Sequence, residues 1–416
     1  PHLLTGNGIR NLIAARFLYM ISLEEARSYV MDSCVRQAPV STEVNEALGL
    51  VTAVDVIAEE SLPPFANTAM DGFAVRSSDL SDIPTQLRIV ETIAAGHNPL
   101  EVVGEGQASR IMTGAPVPDG ADAIVMVEKT TVDGDIVTVE TIVEPGNHIR
   151  PAGDDVAVGE KVFAAGTPLT AGHLGVLCSL GVTQIETYPR PRVGVMSTGD
   201  ELVEGKAVLA PGQIRDSNRR TLLSLLSSDG FEPVDLGLLP DDETLIEEAL
   251  LKGSQDCDAV ITSGGVSMGD YDYVKEVLRR VGDMRWMQIA IKPAKPLAFG
   301  TIGDTPIFGL PGNPVSSMVS YELFARSGLR SMMGFPQPVR PTIQGIAATP
   351  LQRRPDGKIH FARVDVKYEG SELAAHSISG QGSHMLAAMA RSNALAVLPD
   401  GDGCQPGDPV DLLLLQ

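Results

Sequence analysis

Paired lysines, carboxylates that follow apolar runs, and one glycine–serine loop are the residues of this chain whose types and spacing suit chemistry. The loop is DAVITSGGVSMGDYD, residues 258–272. Ala259, Val260 and Ile261 suit a buried strand, Gly264 and Gly265 let the backbone turn, and 271–280 reads as a helix. Such a corner leaves N–H groups unpaired beside a positive helix end, and together these attract an anion. Asp270 and Asp272 beside it make sense with a phosphate if a hard cation lies between them. By itself the segment reads first as an ordinary strand-to-helix turn. Lys292 and Lys295 are each followed by proline, so KPAKP (292–296) presents two ammonium groups on a stiff turn. Like charges this close repel unless an anion sits between them. Asp200, Glu201, Asp241 and Asp272 have no His or Cys beside them, which makes them oxygen ligands suited to Mg²⁺ rather than zinc. Asp241 and Asp242 also precede a helical run, where N-capping competes for them. Ser316 and Ser317 can equally line a helix, and PGNP (311–314) can be only a tight turn.

The elements that must position these groups are visible in the surrounding pattern. Val193–Ser197, Pro233–Leu239, Ala259–Thr262, Ile289–Ile291 and Ile307–Leu310 read as strands. Asn218–Ser228, Glu243–Leu251, Tyr273–Arg280 and Val315–Met332 read as helices. Strands alternating with helices imply a parallel sheet covered on both faces, with ligands at the carboxyl ends of its strands. The five strands are followed by STGDEL, PDDE, SGGVSMGDYD, KPAKP and PGNPVSS, so five polar loops are expected along one rim. Prolines in YPRPR (188–192) and FPQPVRP (335–341) mark boundaries. From Leu62 to about His148, short runs such as 87–93, 121–128 and 136–143 are broken by Gly and Pro and read as a small β domain. Residues 151–181 combine turns with a helix from about Thr170 and are expected to pack back on the helix at 22–33. Ser22 and Glu25 of that helix have capping-box spacing. The residues after 341 read as a further small β domain. Residues 1–19 look unlike the rest of the chain, and Met20 reads as a start.

A chain of 416 residues is long for one core, so several domains are expected. A net charge of −21, with aromatics at 4% and one tryptophan, argues against nucleic acid. It also requires a local positive site for any anionic substrate. The four cysteines are scattered without metal or disulfide spacing, which suits a reducing cytoplasm. Leu12–Ile21 is too short to span a bilayer, contains Arg16 and lacks a cleavage pattern. There is no P-loop, no dinucleotide-binding glycine fingerprint, no G-x-S-x-G and no histidine pairing of a triad.

PPFANTAMDGFAV (63–75), RIMTGAPVPDGADAIVMVE (110–128), STGDEL, GQIRDSNR (212–219), SGGVSMGDYDY, IKPAKPLAFG and GLPGNPVSS occur in this order. Together they closely resemble the molybdopterin molybdenumtransferase family, which includes bacterial MoeA and the E domain of gephyrin. The resemblance runs from about Ile21 to the C-terminus. It implies a multidomain α/β plus β chain: an extension at 1–20, a helical linker at 21–62 and 147–190, and an inserted β lid at 63–146. A MogA-like three-layer α/β/α domain with a mostly parallel sheet comes next, at 191–335, and a small C-terminal β domain at 336–416. It also implies a cytoplasmic homodimer, each active site lying between one subunit's α/β domain and the other's lid. The reaction implied is insertion of molybdate into adenylylated molybdopterin with Mg²⁺-dependent release of AMP.

Carried over by motif, the resemblance assigns catalytic roles to Asp71, Thr113, Glu201, Asp241, Asp272, Lys292 and Lys295. Mg²⁺ falls to Asp241 and Asp272, near Asp200 and Glu201. The pterin–phosphate–nucleotide ligand falls to Gly199, Asp200, Asp216, Ser217, Asn218, Ser263, Gly264, Gly265 and Ser267. Molybdate falls to Arg363 and Ser383, near Pro311, Asn313 and Pro314. Where some relatives carry a further lysine, this chain has Gln288, so the site holds one positive charge fewer. A separate MogA-like adenylyltransferase is implied as substrate donor, with molybdoenzymes or their chaperones as acceptors, and neither nucleic acid nor membrane as partner. A MogA-like adenylyltransferase activity and a gephyrin-like scaffold role are the alternatives. The lid motif and the C-terminal domain speak against the first, and the full set of lysines and acids against the second. No residue here chooses between molybdate and tungstate.

Overall fold

Between residues 192 and 332 the alternating pattern folds as a six-stranded sheet in the computed structural model, which describes residues 20–206, 208–265 and 273–415. Its strands are β1 (Arg192–Thr198), β2 (Glu232–Leu239), β3 (Ala259–Ser263), β4 (Asp283–Gln288), β5 (Pro296–Ile302) and β6 (Thr305–Leu310), in the order β2-β1-β3-β6-β5-β4. The first four in that order are parallel, and β5 runs antiparallel to both of its neighbours. The helices are α1 (Leu23–Ser33), α2 (Asn218–Ser228), α3 (Glu243–Asp256), α4 (Tyr273–Val281) and α5 (Pro314–Ser320). Successive side chains of a strand point to opposite faces. Val193, Val195, Ala259 and Ile261 therefore share a core with Leu222, Leu226, Val315 and Val319 of α2 and α5. Met196 and Val260 pack instead with Ile246 and Leu250 of α3 and Val274 and Val277 of α4. The result is a three-layer α/β/α domain with a mostly parallel sheet. Ser22 Oγ accepts the Glu25 N–H at 3.0 Å to cap α1. Leu23, Ala26 and Val30 of that helix join the same core as Phe299 and Phe308.

Two expectations change here. The run Ile289–Ile291 is not a strand of this sheet: β4 ends at Gln288, and Ile291–Lys292 pair in parallel with Ile359–His360 of the last domain. Ile289 and Ile291 are fully buried, so their apolar character serves a different wall. The edge strand β4, DMRWMQ, is too polar to stand out. Because β4 and β5 form an antiparallel hairpin, their connection still lies at the carboxyl edge shared by β1, β2, β3 and β6. The single helix expected over 315–332 is α5, a wider π turn at Tyr321–Ala325, and α6 (Arg326–Met332). At that turn Tyr321 Oη and Arg326 Nε donate to the two Asp229 oxygens at 2.8 and 2.9 Å, and Arg340 Nε donates to Glu322 at 2.6 Å. Tyr321, Glu322 and Arg326 are all buried, a polar demand that apolar spacing does not register.

The C-terminal strands are β7 (Ile343–Ala347), β8 (Ile359–Glu369), β9 (Glu372–Ser377), β10 (Ala394–Leu398) and β11 (Pro409–Leu414). They run in the order β8-β9-β7-β11-β10, and β10 pairs back onto β8, closing a small barrel around Val364, Ala375, Ala396 and Leu412. Closure removes both edges, which would otherwise present unpaired backbone groups.

All of this belongs to one unit, which takes the chain up to Val40, Gly49–Val51 and everything from Tyr188; the other unit is Ser41–Leu48 with Thr52–Thr187. The second unit holds a six-stranded sheet in the order Ala123–Met126, Gly72–Val75, Gln107–Ile111, Thr85–Ile93, Ile136–Val139, Thr130–Asp133. One of its faces buries Phe73, Val75, Leu87 and Val137, and the other Ala74, Ile93 and Ile124. The helix expected from about Thr170 is Ala171–Ser179. Its Leu177 packs with Val44, Ala47 and Val56. Apart from that helix, 44–62 and 147–187 carry 3₁₀ turns and short strand pairs such as Val56–Ile57 with Lys161–Phe163. Among the described residues no helix is long and apolar enough to cross a membrane.

Gly72 sits where a Cβ would lie 2.0 Å from the Val125 carbonyl oxygen, a backbone atom that cannot step aside. Gly72→Ala is therefore expected to destabilise the second unit by about 1–3 kcal/mol through overpacking. Scanning calorimetry checks this: the transition of that unit should move down while the tryptophan-reported transition of the first unit stays in place.

Candidate active site

The rim of the α/β sheet and one side of the barrel enclose an open cleft of about 1100 Å³. Four of the five expected loops contribute directly: Gly199 and Glu201 after β1, Asp241 after β2, Gly264 and Gly265 after β3, and Pro311 and Asn313 after β6. The fifth wall is the β4–β5 connection with Lys292, Pro293, Ala294 and Lys295. Ser383 lines the cleft from the barrel side. Ser267 and Asp272 lie outside the described residues.

Gly264 has φ +96° and Gly265 φ +66°, a left-handed region open to glycine at little cost. The chain thereby turns out of β3 at the cleft, with the Gly264 N–H donated to the Leu310 carbonyl at 3.1 Å. Lys292 and Lys295 are exposed, and neither has an ion-pair partner among the described residues. Opposite in sign are Glu201 and Asp241. Asp241 N–H donates to Asp200 Oδ1 at 3.1 Å, so the loops after β1 and β2 are clasped together. Burial, and then the charges of Asp200 and Glu201, push the Asp241 carboxyl above its usual range, partly offset by the Asp200 N–H. Negative charge is thus crowded at one end of the cleft and positive charge at the other.

Among the described residues no three His, Cys, Asp or Glu side chains converge on a metal-sized point. The donor set nevertheless suits Mg²⁺, which is normally held by one or two carboxylates together with substrate phosphates rather than by an all-protein cage. Asp241 and Glu201 on the cleft wall, with Asp200 clasped to the Asp241 N–H, are a donor set that fits such a cation.

Other predicted residues support the wall instead of lining it. Asn218 Nδ2 donates to Ser263 Oγ at 2.8 Å and to the Gly312 carbonyl at 2.7 Å, tying the β3 and β6 loops together. Ser217 is the N-cap of α2, and Pro314 opens α5 with Asn313 as its N-cap. Asp216 has a side chain only 1% exposed, and its oxygens take Arg219 Nε at 3.0 Å and Ser197 Oγ at 3.2 Å. Arg219, itself buried, also pairs with Asp235 and Glu204. Arg363 is 1% exposed and sends one nitrogen to the Gly380 carbonyl at 2.6 Å, while its Nε is buried without a partner among the described residues. Burial pushes its guanidinium below the usual value. Gln381, which holds the Arg363 backbone on both sides, lines the cleft.

In the second unit, Asp71 and Thr113 are brought together. Thr113 donates both its N–H and its Oγ1–H to Asp71 Oδ1 at 2.7 Å, and these bonds hold the exposed Asp71 carboxyl below its usual range. Among the cleft residues not anticipated are Lys358 and Tyr273. Lys358, just before β8, lines the cleft and leans on Asp356 at 3.4 Å. Tyr273, the first residue of α4, lines it as well. Lys358 lies beside a PDG turn, the signal that could have suggested an exposed lysine; its place near Lys292 follows from the pairing of Ile291–Lys292 with Ile359–His360.

Residues 21–181 match the MoeA N-terminal region (domain I and II), 194–331 the probable molybdopterin binding domain, and 345–415 the MoeA C-terminal region (domain IV). A molybdopterin molybdenumtransferase of Haemophilus influenzae is 39% identical over 92% of this chain and 96% of its own length. Gephyrin of Dictyostelium discoideum is 30% identical over 95% of this chain and 62% of its own length. The crystal structure of the molybdopterin biosynthesis moeA protein from Pyrococcus horikoshii superposes with a TM-score of 0.81 at 28% identity, covering 95% of this chain and all of that one.

Proposed function

Because the chain belongs to the molybdopterin molybdenumtransferase family, we propose that it inserts molybdate into adenylylated molybdopterin and releases AMP. The observation that carries this reading is the cleft itself. Two ammonium groups, Lys292 and Lys295, without an ion-pair partner among the described residues, line it together with Glu201 and Asp241 and the Gly264–Gly265 turn. An adenylylated pterin has the complementary layout, a phosphoanhydride and a dithiolene within one elongated molecule. The backbone at Gly265 orients the ligand's phosphates, and Lys292 and Lys295 stabilise charge as the anhydride P–O bond breaks and AMP departs. Mg²⁺, which Asp241 and Glu201 would hold with Asp200 beside them, would supply further neutralisation at the phosphates; Asp272 is carried over to this role by its motif alone. No nucleophilic side chain is required, since an oxygen of molybdate or of water attacks.

The reading extends to assembly and supply. The Asp71–Thr113 clasp serves the cleft of a second copy in a homodimer. A separate adenylyltransferase provides the substrate, and a molybdoenzyme or its chaperone receives the product. The protein works in the cytoplasm, where its four free thiols stay reduced. The adenylyltransferase alternative is disfavoured by the matched N-terminal and C-terminal regions at 21–181 and 345–415, and the scaffold alternative by the retention of both Lys292 and Lys295, the acids and PGNP.

Purified protein with adenylylated molybdopterin, molybdate and Mg²⁺ should yield AMP and active cofactor together. Adenylylation of bare molybdopterin by ATP in its place would defeat the reading. The shared site has its own test. Asp71→Ala and Lys295→Ala should each be inactive as homodimers, yet unfolding and refolding them together should restore about a quarter of the wild-type rate, because half of the dimers are mixed and each carries one intact site. No recovery would place both groups in one subunit's site.

A further inference from the structure

Beside the Lys292–Pro293 turn lies a second cavity of about 270 Å³, walled mainly by the C-terminal barrel. Lys292, Pro293 and Gln381 line both this cavity and the main cleft, so the two hollows share a wall that carries an ammonium group. Within the smaller one, Lys292, Arg353 and Arg354 face a single carboxylate, Asp356. That carboxylate is already engaged by Arg353 at 3.0 Å, His360 at 3.1 Å and Lys358 at 3.4 Å, so it offers little repulsion to a further anion. Arg353 is locked in place: its guanidinium donates to the carbonyls of Lys358, Leu398 and Pro399 and to Asp400, while its Nε stays buried without a partner among the described residues. Arg354 is exposed and makes no ion pair among the described residues. Burial above all, with smaller contributions from the charges of Arg353 and Lys292, pushes the His360 imidazole below its usual value against the pull of Asp356.

This positive hollow sits in a chain of net charge −21, and its volume lies below the roughly 300–1,000 Å³ of pockets that hold drug-sized ligands. It fits a compact, multiply charged anion with some of its water. We propose that it is a holding site for the tetrahedral oxyanion substrate, bound between Arg354 and Lys292, from which the ion passes into the cleft without leaving the field of Lys292. The inference rests on the proposed transferase activity for the identity of the ion. No bond is made or broken in the transfer.

Calorimetric titration of sodium molybdate into the substrate-free protein at low ionic strength reads the site directly. Two equivalents per chain are expected, one of which weakens by about tenfold or more in Arg354→Glu as a cation becomes an anion beside the ligand. In the insertion assay the same variant should raise the KM for molybdate with kcat unchanged, whereas Lys295→Ala should lower kcat. One equivalent in the wild type, or titrations identical in wild type and Arg354→Glu, overturns the proposal and leaves Arg353 a structural clamp. Inorganic phosphate binding as tightly as molybdate at the Arg354-dependent site overturns the substrate assignment. A wild type that binds two oxyanions but inserts no molybdenum would sink the transferase reading and leave an oxyanion site standing, so the two failures are distinguishable.

Discussion

Lys295→Ala is expected to lower kcat for molybdenum insertion by about 10²–10³-fold, the cost of removing one preorganised stabilising group from a developing anion. An exposed lysine normally contributes well under about 1 kcal/mol, because water screens it and its side chain must be immobilised. Here both discounts shrink. Lys295 sits between Ala294, at φ +71° and buried, and Pro296, and its carbonyl accepts the Ile289 N–H at 2.8 Å. The turn is therefore fixed before any ligand arrives. A bound ligand in the cleft would also displace the water that weakens the charge. The backbone bond survives substitution, so the loss belongs to the ammonium group. If the charge acts only on ground-state binding, KM rises and kcat holds. A kcat within threefold of wild type would remove Lys295 from the chemistry, and Lys295→Arg should recover part of the rate.

The rim was legible because each of its loops comes after an apolar run whose period and length mark a strand, and parallel strands must end on the same side. The lysine turn reached that rim by a route the pattern did not reveal. Its true strand, β4, is a half-exposed edge, while the apolar triplet before the lysines is buried against the barrel. Barrel closure was also hidden, because β8 pairing with β10 depends on where two strands thirty residues apart meet in space. Lys358 was missed because the pairing that brings it to the cleft joins Ile291–Lys292 to Ile359–His360, segments far apart in sequence. Asp216 shows a different limit. Its motif pointed to ligand binding, yet an aspartate three residues before an arginine at a helix start also has the spacing of a local ion pair, and that is where its side chain lies.

That ion pair carries the largest expected stability effect. Arg219→Ala should destabilise the first unit by about 3–5 kcal/mol, as removal of one partner from a buried ionic cluster does. The reason is what remains. Asp216, at 1% exposure, would keep only the Ser197 hydroxyl and a backbone N–H, while Asp235 and Glu204, about 40% exposed, can turn to water. Against a typical net stability of about 5–15 kcal/mol, such a loss is severe. The pH dependence comes from Asp235. Burial alone would push its carboxyl up, but the Arg219 hydrogen bond, the Gly237 N–H and the charges of Arg219 and Arg220 together leave it below the usual range. A depressed carboxyl stabilises the fold above its unfolded value and loses that contribution as pH falls through the folded one. The Arg219→Ala deficit should therefore be greatest near neutrality and shrink as pH drops through the ordinary carboxylate range and below. Urea unfolding followed by Trp286, the only tryptophan and a residue of β4, measures it in the first unit. Arg219→Lys should recover only a fraction, since one ammonium cannot replace a guanidinium fork that reaches three carboxylates. A deficit that stays below about 1 kcal/mol, or that grows toward acid pH, would mean the cluster does not hold the β1–α2 loop, and the fixed placement of Glu201 at the cleft would need another cause.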